Sequence, residues 1–265
     1  LTIITGFANI GKTTTQLFLM MMASKLYYYK WLMYCPENEP IGDLMIDIAE
    51  MYCGKTADKE FSDRIGQDNY LRAVEWAYEH FTILTFEVTP TVDQVLESFE
   101  EYMQVVEIDG ISIDPLNDLK APQKVSKYDY YYDALSNVRR FIKRHNVMFY
   151  LVVHPGTAAN RRRNEDGTRP APNMSDVEFG AMFGNRADNF LVFHRNPQSE
   201  KWNVTEIHAQ KIKFQKLVGV PTPELTPVCL FYSYSLRRFR YLNENGTLID
   251  PIQETIIKRP TNDIF

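Results

Sequence analysis

Cysteine is scarce in this chain, with three residues in 265: Cys35, Cys53 and Cys229. Their spacing fits neither a metal-ligand pattern nor a disulfide framework, which excludes a small cross-linked secreted module and makes a reducing compartment the expectation. Long apolar runs are missing too. Leu17–Ala23 is too short to span a bilayer and is cut off by Lys25, so it reads as a buried helix, and no signal peptide is visible. Excess positive charge is absent: the formal net charge is −5. That excludes a surface coated in basic charge for duplex binding but leaves room for a local basic groove. There is no internal repeat and no initiator methionine. The chain opens directly on a strand-like segment, which reads as an excised piece with an upstream region missing. At this length it can bury a full core as one α/β domain.

What is present begins at Gly6-Phe7-Ala8-Asn9-Ile10-Gly11-Lys12-Thr13. The segment fits the phosphate-binding loop G-x-x-x-x-G-K-[ST] and lies between a buried strand, Leu1–Thr5, and a helical run, Thr14–Ala23. Such a turn aims backbone N–H groups and a helix N-terminus at an anion. Lys12 would reach the β- and γ-phosphates and the Thr13 hydroxyl would hold Mg²⁺. With only two glycines in the loop, Asn9 is the residue suited to a left-handed conformation. The expected nucleotide-binding set is Gly6, Asn9, Ile10, Gly11, Lys12, Thr13 and Thr14.

Further strands are expected at Trp31–Cys35, Phe81–Leu84, Ile111–Asp114, Val147–Val153, Asn189–His194, Val204–Ala209 and Val228–Tyr234. Helical spacing joins Val92, Val95, Leu96, Phe99 and Met103, and again Tyr131, Leu135, Val138, Phe141 and Ile142. Alternating β and α units predict a mostly parallel sheet flanked by helices, and the helix-poor end predicts an antiparallel C-terminal edge. Residues 1–242 form the expected domain, and 243–265 read as a tail anchored by Ile249, Ile252, Ile256 and Ile257.

A phosphate loop needs a second metal anchor and a group to orient water. Ile111-Ser-Ile-Asp114 is an apolar strand ending in a carboxylate suited to the Mg²⁺ shell. Asp109 is its rival, and a helix cap is the alternative role for Asp114. Glu37 follows the second strand and could polarise water, with Glu39 as competitor and a solvated turn as the plain alternative. His154 ends another strand, at the sheet edge where open α/β sheets bind ligands, and could sense the γ-phosphate or simply be a structural histidine. The irregular segment Pro155–Ser175 carries Arg161, Arg162, Arg163 and Arg169. The segment after Asp114 carries Lys120, Lys124 and Lys127 beside Tyr128, Tyr130, Tyr131 and Tyr132. Cations with aromatics suit single-stranded nucleic acid, whereas a solvated charge run with core tyrosines is the structural alternative.

Taken in order, these segments resemble the RecA-like motor core of DnaB- and Twinkle-type replicative hexameric helicases. Gly6–Thr13 resembles Walker A; Cys35-Pro-Glu37 the Ser-x-Glu of the catalytic base; Ile111–Leu116 the Walker B strand; and Val152-Val-His-Pro155 the Twinkle-type His-Pro sensor. Arg186-Ala-Asp-Asn189 is similar to the family's Ala-Asp-Asn segment, and Ala209–Phe214 with Val218-Gly219 to its Lys-x-Arg-Phe…Val-Gly. The resemblance implies that Lys211 and Lys213 reach into a neighbouring subunit's ATP site. Lysine at position 213 keeps the charge of the family's arginine finger without its planar fork. Nearby basic residues could share the finger role, and Arg195 is another candidate for it as well as for nucleotide binding. The family also implies ATP with Mg²⁺, a homo-oligomeric ring on single-stranded DNA, a primase-like upstream domain, a cytoplasmic or nucleoid-associated location and no membrane contact. A filament-forming recombinase and a nucleotide-dependent regulatory assembly module stand as alternatives.

Overall fold

The computed structural model describes residues 1–254, so the expected anchors Ile256 and Ile257 lie outside the described residues. Strand β1 (Thr2–Thr5) runs through the phosphate-loop turn into α1 (Lys12–Tyr27) and returns as β2 (Trp31–Tyr34). Helices α2 (Ile41–Cys53) and α3 (Gln67–His80) precede β3 (Phe81–Ile83). Next come α4 (Val92–Met103), β4 (Gly110–Ile113), α5 (Lys127–His145) and β5 (Met148–Val153). Short helices α6 (Thr157–Asn160) and α7 (Gly180–Arg186) lead to β6 (Asn189–His194). The chain then passes through β7 (Val204–Ile212), α8 (Gln215–Val218), β8 (Val228–Ser233), β9 (Arg238–Leu242), β10 (Leu248–Ile249) and α9 (Pro251–Glu254).

The strands form one sheet in the order β10-β9-β8-β7-β6-β1-β5-β4-β2-β3. Pairing from β6 through β1, β5, β4 and β2 to β3 is parallel. From β6 outward through β7, β8, β9 and β10 it is antiparallel. This is the expected α/β sheet with its antiparallel C-terminal edge. Strands β1, β2 and β4 are buried at every position, as parallel strands covered on both faces must be. Alternation along β2 sends Leu32 and Tyr34 to one face, against Val95 and Phe99 of α4 and Leu135 and Val138 of α5. Trp31 and Met33 go to the other face, against Phe18 and Met21 of α1 and Met45 and Ile48 of α2.

Two expectations change in detail. Strand β7 extends to Ile212, so Lys211 lies within the sheet rather than beyond it. The boundary after residue 242 falls inside a hairpin: Leu248 and Ile249 pair back onto Leu242 and Tyr241, and buried Asp250 meets buried Arg238 at 2.6 Å. Charged residues alternating along Arg238–Leu242 hid that strand from a pattern search for apolar runs.

Candidate nucleotide site

Because parallel strands share a direction, the carboxyl ends of β1, β2, β4 and β5 converge on one edge, and the loops beyond them form one cleft. The phosphate loop follows β1. Asn9 takes the left-handed conformation (φ 60°), as does Gly11 (φ 83°) at the N-cap of α1. A Cβ on Gly6 would stand 2.5 Å from the Phe193 carbonyl oxygen, so only glycine lets the turn lie against β6. This cradle fits a phosphate chain.

Lys12 is buried, and its ammonium donates to the Phe7 carbonyl at 2.9 Å. Burial lowers its pKa, opposed by the charges of Asp114 and Glu37. The Thr13 hydroxyl donates to Asp114 Oδ2 at 2.9 Å. Burial raises the Asp114 pKa, opposed by that hydrogen bond and by Lys12. Hydroxyl and carboxylate thus meet at the mouth of the loop, a donor set suited to Mg²⁺. Asp109, the rival anchor, sits at the opposite end of β4, where its Oδ2 accepts from the Lys30 N–H at 2.8 Å. Beneath the loop, Gln16 of α1 hydrogen-bonds Ser112 of β4, fixing the helix against the strand that carries Asp114.

Glu37 Oε1 lies 3.4 Å from His154 Nε2, which joins the ends of β2 and β5 across the cleft. Glu39 is exposed beside it. One residue the sequence reading passed over completes this corner. Asn117 accepts from the His154 N–H at 2.8 Å and donates to the Tyr131 hydroxyl at 3.4 Å, tying the segment after β4 to the end of β5. Its signal was a polar residue three positions past the strand-end Asp114.

Arg195, at the end of β6, donates to the Asn9 carbonyl at 3.3 Å, so it serves its own phosphate loop. It lines a cavity of about 250 Å³ beside Gly11 and Thr14, closed by Asp47, Tyr234 and Arg237. None of those three was singled out in the sequence, because α2 and the strands β8 and β9 bring them together only in the fold.

Lys211 and Lys213 lie elsewhere. Ile212 pairs with Asn189, which is level with Thr2 at the amino end of β1. The two lysines are therefore about 10 Å of strand, and the whole loop, away from the phosphate cradle of their own chain. Lys211 donates to the Gly184 carbonyl at 2.7 Å and Lys213 to Asp188 at 2.9 Å.

The cationic loops are also sorted by the structure. Arg161, Arg162 and Arg163 are exposed; Arg162 pairs with Asp176, and Arg163 donates to the Asn160 carbonyl. Lys120 and Lys124 are exposed before α5. Lys127 opens that helix and reaches Glu178 at 3.4 Å. The four tyrosines belong to the helix, not a loop. Tyr130 and Tyr131 are core, whereas Tyr128 and Tyr132 are about half exposed.

No protein-family model matches the chain. It is 26% identical over 209 residues to the Twinkle homolog protein, chloroplastic/mitochondrial, of Arabidopsis thaliana, a match covering 74% of this chain and 28% of the relative. The chain thus spans under a third of that curated relative. The fold superposes on the ATPase domain of G40P with a TM-score of 0.71 at 15% identity, covering 90% of this chain and 83% of that one. The fold is therefore RecA-like. A second solved structure, a DnaB-like replicative helicase described with its interactions with primase, superposes with a TM-score of 0.70 at 15% identity, over 90% of this chain and 58% of that one. In this fold the cleft lies at the carboxyl edge of the parallel strands, and the antiparallel strands continue the sheet beyond β6. Among the described residues, no helix is long and apolar enough to cross a membrane.

Proposed function

We propose that this chain is the ATP-hydrolysing motor domain of a replicative DNA helicase, coupling ATP turnover to movement along single-stranded DNA. The observation that carries the reading is the convergence of Lys12, the Thr13–Asp114 pair and the Glu37–His154 pair on one sheet edge.

The phosphates of ATP are held by the backbone of Gly6–Thr13 and by Lys12, whose ammonium exchanges the Phe7 carbonyl for phosphate oxygens. Thr13 and Asp114 would hold Mg²⁺, which would supply charge neutralisation at the phosphates. Glu37 orients the attacking water and accepts its proton, and His154 keeps the carboxylate on the cleft side. The nucleoside extends into the cavity between Arg195 and Tyr234.

Lys211 and Lys213 support a head-to-tail assembly. Far from their own phosphate loop, they act on the ATP of the next copy, stabilising charge on the transferring phosphoryl group. The assembly in this reading is a closed ring, six-fold in the intact protein, which the likeness to DnaB-like domains supports. An upstream primase-like domain and a DNA-associated location belong to the same reading. Single-stranded DNA is met by Lys120, Lys124 and Lys127 after β4 and by Arg161, Arg162 and Arg163 after β5, both loops opening from the ATP edge. Asn117 links them through His154 and Tyr131.

The test is ATP turnover by Lys12→Ala. Turnover falls to background while the fold, read by circular dichroism, stays intact. Unchanged hydrolysis by a folded variant would sink the site assignment.

A further inference from the structure

Tyr128 and Tyr132 lie one turn apart on α5, so their rings share a face. They stack with centroids 6.4 Å apart and an interplanar angle of 22°. Phe179 meets the Tyr128 ring edge-on at 5.6 Å, and the Arg186 guanidinium lies 4.0 Å over the Tyr132 ring. Together they border an open groove of about 570 Å³. The two tyrosines are 50% and 45% exposed, while their neighbours Tyr130 and Tyr131 are 8% exposed. Packing therefore encloses the inner pair and leaves about half of the outer pair open to solvent. Phe179 holds the left-handed conformation, φ 58°, which is costly for a bulky residue and is kept only where surrounding structure imposes it.

The groove adjoins the two cationic segments. Lys120 and Lys124 are exposed just before α5, Lys127 immediately precedes Tyr128, and Phe179 closes the stretch that follows Arg161–Arg163. Flat π faces half open to solvent, a guanidinium stacked on one of them and exposed cations alongside form the combination that holds unpaired bases while neutralising their backbone.

We infer that Tyr128, Tyr132, Phe179 and Arg186 form a stacking platform for a nucleobase of single-stranded DNA. The inference rests on the DNA-translocating reading and adds to it a contact with bases rather than phosphates. Because every base has a π face, the platform grips without reading sequence, as a motor requires.

The experiment measures binding of the full chain to a natural oligonucleotide and to an abasic one of equal length and charge, at two salt concentrations. The proteins compared are wild type, Tyr128→Phe/Tyr132→Phe, Tyr128→Leu/Tyr132→Leu and Arg161→Ala. Wild type binds the natural strand about tenfold more tightly than the abasic strand. The phenylalanine pair keeps that preference. The leucine pair loses it while retaining the salt dependence, and Arg161→Ala keeps it while lowering the salt slope. Equal affinity of wild type for both strands, or full preference in the leucine pair, overturns the platform but leaves DNA binding standing. No binding of either strand by wild type overturns the DNA reading itself. Loss of self-association in the leucine pair, with strand preference intact, would assign the groove to a protein partner instead.

Discussion

At the scale of single residues, the proposed mechanism distinguishes groups that hold ATP from the group that activates water. Glu37 and Glu39 are both exposed, and Glu37 lies 3.4 Å from His154 Nε2. Glu37→Gln is expected to lower kcat by about 10²–10⁴-fold with nucleotide binding retained, while Glu39→Gln stays near wild type. Single-turnover hydrolysis alongside nucleotide-binding titration checks both. The phosphate loop was legible because its geometry is local: Asn9 and Gly11 take the left-handed conformations that the turn demands. The strand-end carboxylates were legible because an apolar run stopping at Asp114 states where it ends. Asp47, Tyr234 and Arg237 were not, since nothing near any of them in sequence announces a shared cavity. The tyrosines show a middle case. The helical spacing of Tyr131–Ile142, carried back one turn, puts Tyr130 and Tyr131 inside with Ala134 and Leu135, but that phase has to be applied to the segment before it can be used.

At the scale of elements, the parallel half follows from its buried strands and the antiparallel edge from long-range pairing. Strand β9 is short and carries Arg238 and Arg240, strand β10 is two residues long, and this edge is tied to α2, distant in sequence. Arg238 pairs with Asp250 and donates to the Met51 carbonyl of α2 at 3.2 Å, all within the protein interior. Arg238→Ala leaves a buried carboxylate unpaired and is expected to cost about 3–5 kcal/mol, read by chemical denaturation. A cost under 1 kcal/mol would mean that the edge frays without consequence. Strand β6 carries a pH signature. Burial lowers the pKa of His194, Glu206 opposes this, and His208 and Arg169 add to it. Since the unfolded chain binds this proton more readily, stability is full above the ordinary histidine value, near 6.5, and declines as pH falls from there to the folded pKa. Melting temperatures between pH 7.5 and 5.5 should fall less steeply in His194→Gln than in wild type. Parallel slopes would assign the acid sensitivity to other groups.

At the scale of the whole molecule, the phosphate cradle lies at the carboxyl edge of the parallel strands, and the Lys211–Lys213 pair lies near the opposite edge, level with the amino ends of β6 and β1. One chain cannot bring them together, but a head-to-tail neighbour can, and such contacts close into rings or extend as filaments. The separation of the two lysines from the cradle was not legible in any local segment, because the pairing register that sets it is a property of the folded sheet. The most direct measurement is ATP hydrolysis per molecule across a range of protein concentrations, with and without single-stranded DNA. The expected result is specific activity that climbs with concentration, climbs further with DNA, and loses both rises in Lys211→Ala/Lys213→Ala. Activity per molecule that stays flat with concentration and indifferent to DNA would mean a cleft complete within one chain, and would contradict the shared-site motor.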